Sequence, residues 1–392
     1  MGNPYAIPRE KLLKLTANHR KITIGLPTPP AGCDRRFPLT PEAASLLVER
    51  GFTVKIQQGG SDSIHYTDLR YQQHGVDIVD RGEAFRCDIV IYLAPLTGMD
   101  ARSLRNGAML LTFTDSAVAD ATALGVLVQN SVITLALDLI EDSHGLRPFA
   151  DILAEIAGRA AMSIANSLLA DSDHGKGILL GGVAGIIPCE VTIMGSGISA
   201  CAAARSAMGL GAIVKMFDND VYSLRAALRD LGAGITGSSM HPRVLAGALR
   251  TADVVIATDA RPAYEISSDV VSEMKEGVVI FDITTNDRMV FPSLPPVDIS
   301  NTPLSALASL KGRRTYLYPA TAVPRTVAMA LSNTFITMIT EIFTCNGITN
   351  ALMLNGGLQR AVLTFMGKPT NARVAARLGV RPVDINLILQ FS

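Results

Sequence analysis

The chain has no tryptophan, only 5% aromatic residues and six histidines, and its 35 basic residues are balanced by 35 acidic ones. Zero net charge and a pI near 7 remove the electrostatic reason for a nucleic-acid or membrane-surface partner, because both associations draw on an excess of basic residues. The cysteines, at positions 33, 87, 189, 201 and 345, are odd in number and never spaced Cys-x-x-Cys. That pattern argues against a disulfide framework and a zinc ribbon, fits reduced thiols in a cytoplasmic protein, and leaves no metal site to expect. The opening residues form no apolar run and carry alanine at position 6, where a myristoylation signal has Ser or Thr, so no targeting segment is expected. Residues 177–195 are the most apolar stretch, but Gly181, Gly182, Gly185, Pro188 and Glu190 interrupt it, which suits a turn feeding a buried strand better than a membrane span. The sequence contains neither an internal repeat nor a low-complexity run.

Apolar residues are plentiful, 48% against 18% charged over 392 positions, enough for two or three well-packed domains of ~150 residues. Short β-rich runs alternate with longer helical patterns, the signature of parallel sheets covered by helices. Residues 22–26, 54–57, 88–93 and 109–113 read as strands of a first sheet, and 41–51 as a helix with Thr40 as its cap and Pro41 in its first turn. The Ala-rich amphipathic segment 149–171 is long enough, at ~1.5 Å per residue, to cross from one domain to the next. Beyond it, strands are expected at 190–194, 213–217, 253–257 and 277–282, and a last helix at 324–343 returns to the first domain. Residues 370–379 read as a short capped helix ending at a glycine; the rest of the segment after Cys345 is not placed.

The expected fold class is therefore α/β: two Rossmann-like parallel-sheet domains with an interdomain cleft, joined by long helices. Residues 1–136 and 325–392 form a discontinuous substrate domain, and 137–324 the nucleotide-binding one. The helix 324–343 and the linker helix offer more nonpolar face than one small domain can cover, so a homo-oligomer is expected.

The sharpest motif is Gly195-Ser196-Gly197-Ile198-Ser199-Ala200, placed between the apolar run 191–194 and a helix at 202–210. Gly195 permits the tight turn, Gly197 lets backbone approach a pyrophosphate, and Ala200 keeps helix and strand close, while the helix N-terminus offers N–H donors. The following strand ends in Asp218, 18 positions after Ala200, where a carboxylate accepts from adenosine ribose hydroxyls and disfavours a 2′-phosphate. These residues, Ser196 and Ile198 included, are expected to bind NAD in preference to NADP. Asn219 and Asp220 read as turn and cap residues.

Residues 181–188 (GGVAGIIP), the GSGISA turn, residues 207–212 and Asp218 together resemble the alanine dehydrogenase and transhydrogenase domain-I family. The run 34–42 (DRRFPLTPE) is similar to that family's Glu-x-Arg-Val-Ala-Leu-Thr-Pro segment, and the resemblance continues through residues 155–159 and 323–326, covering roughly 20 to 345. It implies a two-domain fold with a cleft, dimers or hexamers, and an NAD-dependent oxidoreductase of a small amino acid or 2-oxo acid, with L-alanine to pyruvate plus ammonia as prototype.

The resemblance assigns Arg36 to the family's arginine, where a guanidinium clamps a carboxylate bidentately. The family's substrate lysine falls on Ala94, its acid–base histidine on Asp115, its cleft aspartate on Asn286 and its nicotinamide-side asparagine on Tyr318. Arg36, Asp115 and Asn286 are thus the catalytic candidates. Asp115 can shuttle a proton if burial raises its carboxyl toward working pH; the other reading is an exposed or helix-capping aspartate. Asp282 and Asp287 flank Asn286, so a one-residue shift is conceivable, and Tyr92, His65 and His74 are further groups to which proton transfer could fall. A proton-pumping transhydrogenase is not expected, since that assembly needs membrane helices. Three functions stay open: an amino-acid dehydrogenase, a catalytically silent NAD-binding or regulatory protein, and opine-type or saccharopine-type chemistry.

Overall fold

A computed structural model describes residues 22–30, 36–285, 288–300, 302, 306–307, 312–344 and 348–390. The first sheet contains β1 (Thr23–Leu26), β2 (Thr53–Gln57), β3 (Asp77–Val79), β4 (Ile89–Ile91), β5 (Met109–Thr112) and β6 (Ile133–Ala136). The second contains β7 (Glu190–Met194), β8 (Ile213–Phe217), β9 (Ile235–Ser238), β10 (Val254–Ala257), β11 (Val279–Asp282), β12 (Pro296–Asp298) and β13 (Thr315–Leu317). Two late strands, β14 (Val362–Phe365) and β15 (Lys368–Pro369), return to the first sheet, whose order is β3-β2-β1-β4-β5-β6-β14-β15. The second runs β9-β8-β7-β10-β11-β13-β12, and all its pairings are parallel. Two parallel-sheet α/β domains are thus present, as the alternation of short and long periods requires.

The central strands explain themselves. β4 (IVI), β5 (MLLT) and β10 (VVIA) are buried along their whole length, because helices cover both faces of a parallel sheet. Nearer the edge, β2 alternates, with Val54 and Ile56 buried and Thr53, Lys55 and Gln57 partly exposed. The helix Pro41–Glu49 starts where Thr40 Oγ1 accepts the Ala43 N–H at 3.3 Å, and Gly51, at φ +95°, ends it.

The C-terminal hairpin was not anticipated. β14 pairs antiparallel with β6, and Met366 and Gly367 turn the chain with both φ values positive, the geometry of a type I′ hairpin. The short helix Ala372–Arg377 that follows is capped by Asn371 and closed by Gly379 at φ +68°, as expected for 370–379.

The linker helix Pro148–Ala170 belongs to both cores. Phe149 and Ile156 are buried with the first sheet, whereas Ala161, Met162, Ile164, Ala165, Leu168 and Leu169 are buried with the second. Gly158 sits at the change-over. The return helix Pro324–Thr344 buries Val327, Leu331, Phe335 and Ile339 in the first core, and its Phe335 ring lies 4.9 Å from that of Phe149. The apolar faces that suggested an oligomer are therefore in large part covered by the chain's own cores. By length and composition the linker helix is the one described helix apolar enough to cross a membrane, and half of that apolar stretch is buried inside the protein.

At the amino end of the second sheet, Asp253 accepts from Lys275 Nζ (2.9 Å), Lys176 Nζ (3.4 Å) and the Glu190 N–H (3.1 Å). Burial acts to raise the Asp253 carboxyl, but Lys275, the Glu190 amide and Lys176 outweigh it and hold it below the usual carboxylate range. Asp253→Asn is expected to cost about 1–3 kcal/mol at pH 7 by leaving two ammonium groups without their counter-charge. Because the folded value is depressed, this contribution is full above the unfolded value of about 3.9 and fades as pH falls below it. Urea unfolding should accordingly show a smaller gap between wild type and variant at pH 3 than at pH 7.

Candidate active site

In the second sheet the chain runs β7 to β8 to β9 on one side and then restarts at β10 on the other side of β7. The carboxyl ends of β7 and β10 therefore diverge into a crevice, the usual ligand position in such a sheet. Gly195 stands at the end of β7 with φ +102°, and a Cβ there would lie 2.0 Å from Thr258 Oγ1 and 2.8 Å from the Asp259 carbonyl. Only glycine fits. Thr258 donates its hydroxyl to the Met194 carbonyl at 2.9 Å, and the Tyr264 hydroxyl reaches the Thr258 carbonyl at 2.8 Å. Burial first, and then the negative charge of Asp282, push the Tyr264 phenol well above its ordinary range, so it stays a donor. Sequence reasoning missed Thr258 and Tyr264; a polar residue directly after the apolar run of β10 was the available signal.

Gly197 serves differently. It caps the helix Ile198–Gly209 in extended backbone, and a Cβ on it would meet nothing within 4 Å. The amides of Ile198, Ser199 and Ala200 open that helix without intrahelical acceptors, while Ala200 itself is fully buried in the core against the sheet. Asp218, at the end of β8 and buried, accepts the Ser196 hydroxyl at 2.6 Å and the Asp220 N–H at 2.9 Å. Asp220 caps the helix Val221–Leu231, and Asn219 accepts the Met240 N–H at 3.1 Å, both as expected of turn residues.

The first sheet has its own switch between β1 and β4. There Arg81, which sequence reasoning did not single out, donates to Asp100 Oδ1 (2.8 and 3.2 Å), to Gln57 Oε1 (3.3 Å) and to the Thr28 carbonyl. It also lies over the rings of Phe85 and Tyr92 at 5.1 and 5.8 Å. Tyr92 is buried against this cation, which makes it a packing residue and not an open proton carrier. His65 is an exposed residue at φ +57° ending a short 3-10 turn, and His74 follows the helix Asp68–Gln73; both occupy turn positions.

Arg36 is half-buried, its guanidinium 4.7 Å from the Phe113 ring centroid at the end of β5. Ala94 is completely buried. Asp115 has a side chain 82% exposed and accepts from Arg373 Nη1 at 3.0 Å. The burial that a proton-shuttling role required is absent: Thr114 and Ser116 on either side are buried, whereas the Asp115 side chain points outward to the helix Ala372–Arg377. Asn286 and Asp287 lie outside the described residues. Asp282, by contrast, is buried and committed: it accepts from the Thr284 N–H (3.1 Å), the Thr284 hydroxyl (2.6 Å) and the Val290 N–H (2.8 Å). Tyr318 follows β13 on the segment that crosses back to the first domain, and its charged neighbours are Asp298, Asp115, Arg36 and Asp282.

Two family profiles match in tandem, the alanine dehydrogenase/PNT N-terminal domain over residues 27–159 and the C-terminal domain over 161–372. The chain belongs to the alanine dehydrogenase/PNT family. It is 28% identical to the alanine dehydrogenase of Mycobacterium tuberculosis over 92% of this chain and 97% of that protein. The alanine dehydrogenase of Staphylococcus saprophyticus is 28% identical over 94% of this chain and 100% of its own length. A solved L-alanine dehydrogenase shares the fold with a TM-score of 0.80 at 23% identity, over 91% of this chain and 99% of that one. A transhydrogenase from Sinorhizobium meliloti does so with a TM-score of 0.71 at 17% identity, over 90% and 99%.

In this alanine dehydrogenase/PNT family member the two glycines of the turn are separable by experiment. Gly195→Ala forces a side chain into the left-handed region and against Thr258, and is expected to cost about 2–4 kcal/mol. Thermal unfolding checks this; a melting temperature equal to wild type would show that the turn can relax.

Proposed function

We propose that this protein is an NAD-dependent oxidoreductase acting on a small amino acid and its 2-oxo acid. The observation that carries the reading is the open space in front of Gly197, beside a buried Asp218, in a chain that spans the alanine dehydrogenases nearly end to end. On this reading residues 137–324 hold NAD, and residues 1–136 with 325–392 hold the substrate. NAD, when bound, supplies the acceptor for a hydride from the substrate's α-carbon.

The residues fit that group. The extended backbone at Gly197 leaves room for a pyrophosphate, and the amides of Ile198, Ser199 and Ala200 are oriented for its oxygens. A carboxylate has about four acceptor positions, and Asp218 uses one for Ser196 and one for Asp220, so two remain for ribose hydroxyls. A 2′-phosphate would instead set negative charge against it, which favours NAD over NADP. Arg36, stacked on Phe113, is the clamp for the substrate carboxylate. Asp115 contributes an exposed carboxylate near that clamp, and Asn286, by the family's pattern, an amide that orients substrate without exchanging a proton.

A second reading has its own support. Ala94 is buried where the family has its substrate lysine, and Asp115 is tied to Arg373 where it has its histidine, so a catalytically silent NAD-binding protein would keep all the cofactor features. Calorimetric titration with NADH and NADPH separates cofactor from chemistry. We expect micromolar NADH binding, at least tenfold weaker NADPH binding, and loss of NADH binding in Gly197→Val with an unchanged melting temperature. Asp218→Ala should weaken NADH and narrow the gap to NADPH. Turnover of any amino acid, or of any 2-oxo acid with ammonia, overturns the silent reading; NADH binding without turnover across that panel supports it.

A homo-oligomer, dimer or hexamer, remains part of the proposal. Its support is the segment 179–187, where Leu179, Val183, Ile186 and Ile187 are 63%, 55%, 68% and 83% exposed. Light scattering should give at least twice the 41.5 kDa chain mass, and a clean monomer would refute the assignment.

A further inference from the structure

Tyr318 is unusual in three independent respects. It is one of four described residues other than glycine with a positive φ, at φ 57° and ψ 48°, a conformation that side chains with a Cβ resist. Its backbone is held there, because the Thr321 N–H and hydroxyl both donate to the Tyr318 carbonyl at 3.0 and 2.7 Å. Yet the ring gains little from the arrangement: the residue is 61% exposed, and among the described residues its hydroxyl has no hydrogen-bond partner. A large aromatic side chain fixed in a costly backbone state, only partly buried and with its hydroxyl unbonded, is an arrangement that sites of function retain.

Its position supplies the rest. Tyr318 lies directly beyond the carboxyl end of β13, on the stretch that crosses between the domains, and its charged neighbours come from both sides of the crossing. Asp298 and Asp282 belong to the second sheet, and Arg36 and Asp115 to the first domain. Arg36 is the proposed carboxylate clamp, and its charge acts on this phenol across the crossing.

We propose that the Tyr318 hydroxyl touches the substrate and shuttles the proton between its oxygen and nitrogen, a task for which this chain has no lysine at position 94 and no histidine at position 115. This rests on the oxidoreductase reading above. In the direction of amination, the lone pair of ammonia forms the C–N bond to the 2-oxo carbon. The carbonyl π pair moves onto oxygen, which takes the phenol proton. The phenolate then recovers a proton from the new ammonium nitrogen, leaving a neutral carbinolamine and the phenol as it began. Burial first, with Asp298 and Asp115, raises the phenol above its ordinary range against the opposing charge of Arg36, which keeps the donor form available at neutral pH.

The test is Tyr318→Phe, which keeps the ring and removes only the hydroxyl. Three measurements are needed: NADH affinity, affinity of NADH-loaded protein for oxamate as a 2-oxo acid mimic, and amination rates over a panel of 2-oxo acids with ammonia. We expect NADH affinity within twofold of wild type, oxamate bound several-fold more weakly, and kcat lower by roughly 10²–10⁴-fold with a smaller change in KM. The basic limb of the kcat profile, attributable to the phenol, should disappear. Tyr318→Gly relieves the backbone, so it should raise the melting temperature while showing the same loss of kcat, a trade that a merely structural tyrosine would not make. If wild type binds NADH but neither oxamate nor any 2-oxo acid, the oxidoreductase reading fails and takes this proposal with it. If wild type turns over and Tyr318→Phe matches it in kcat and pH profile, only the assignment of Tyr318 is overturned.

Discussion

The linker helix Pro148–Ala170 and the helix Ile198–Gly209 touch backbone to backbone, and Gly158 is what allows it. A Cβ on Gly158 would lie 2.1 Å from the Ser199 carbonyl and 2.9 Å from the Ala203 amide nitrogen. The contact therefore falls on the first turn of the helix whose free amides face the crevice. Because the amino-terminal half of the linker is packed into the first core, that turn is fixed relative to both sheets by one rigid element. Any side chain at 158 would push the two helices apart and move the amides of Ile198, Ser199 and Ala200 away from the crevice. The second crossing, through Tyr318 and the 3-10 turn Pro319–Ala322 into the return helix, closes the loop; Phe149 against Phe335 ties the two crossings together.

Around the mouth of the second sheet the same economy is applied to carboxylates. Asp282 accepts from Thr284 and Val290, Asp259 from the amide and hydroxyl of Thr285, Asp298 from Ser300, and Asp218 from Ser196 and Asp220. Carboxylates at the strand ends thus bind N–H groups of the loops at this end of the sheet, their own loop for Asp282, Asp298 and Asp218 and the loop after the neighbouring β11 for Asp259, and these N–H groups would otherwise go unpaired. The by-product is a rim of negative charge, set against the guanidinium of Arg36 on the first domain, and both act on the phenol of Tyr318. On the proposed function, a substrate carrying both a carboxylate and an ammonium group suits such a field, with its carboxylate on the Arg36 side.

Much of this frame was legible from residues alone. The runs at 190–194 and 213–217 coincide with β7 and β8, and the long apolar helices were recognised by period, because a parallel sheet buries its centre completely and its strands read as unbroken apolar runs. The hairpin of β14 and β15 escaped, since Met366-Gly367 is not one of the residue pairs that signal a type I′ turn, and its partner β6 is distant in sequence. The glycine turn, with the acid after β8, could be read because backbone conformation dictates its residues. The opposite wall could not, because what a side chain does there depends on burial and partners. Asp115 and Asp282 are the same residue type, yet one is exposed against Arg373 and the other is buried under three donors.

Ala94 shows how closely the wall of the first domain is packed. It is packed with Tyr92, Leu96 and Ala117, and the segment around it is stitched down by the Ser116 hydroxyl on the Leu93 carbonyl and the Leu96 N–H on the Ser116 carbonyl. An ammonium group introduced there would be buried among apolar side chains, with the nearby Asp100 already committed to Arg81, and would cost several kcal/mol unless it became neutral. The surroundings of residue 94 are thus built to hold a methyl group. On the proposed function, the charge that recognises the substrate comes from Arg36, and proton transfer from a group that can stand at the cleft without a buried counter-ion. A phenol, neutral as a donor, satisfies that condition at a far smaller cost of burial than a cation.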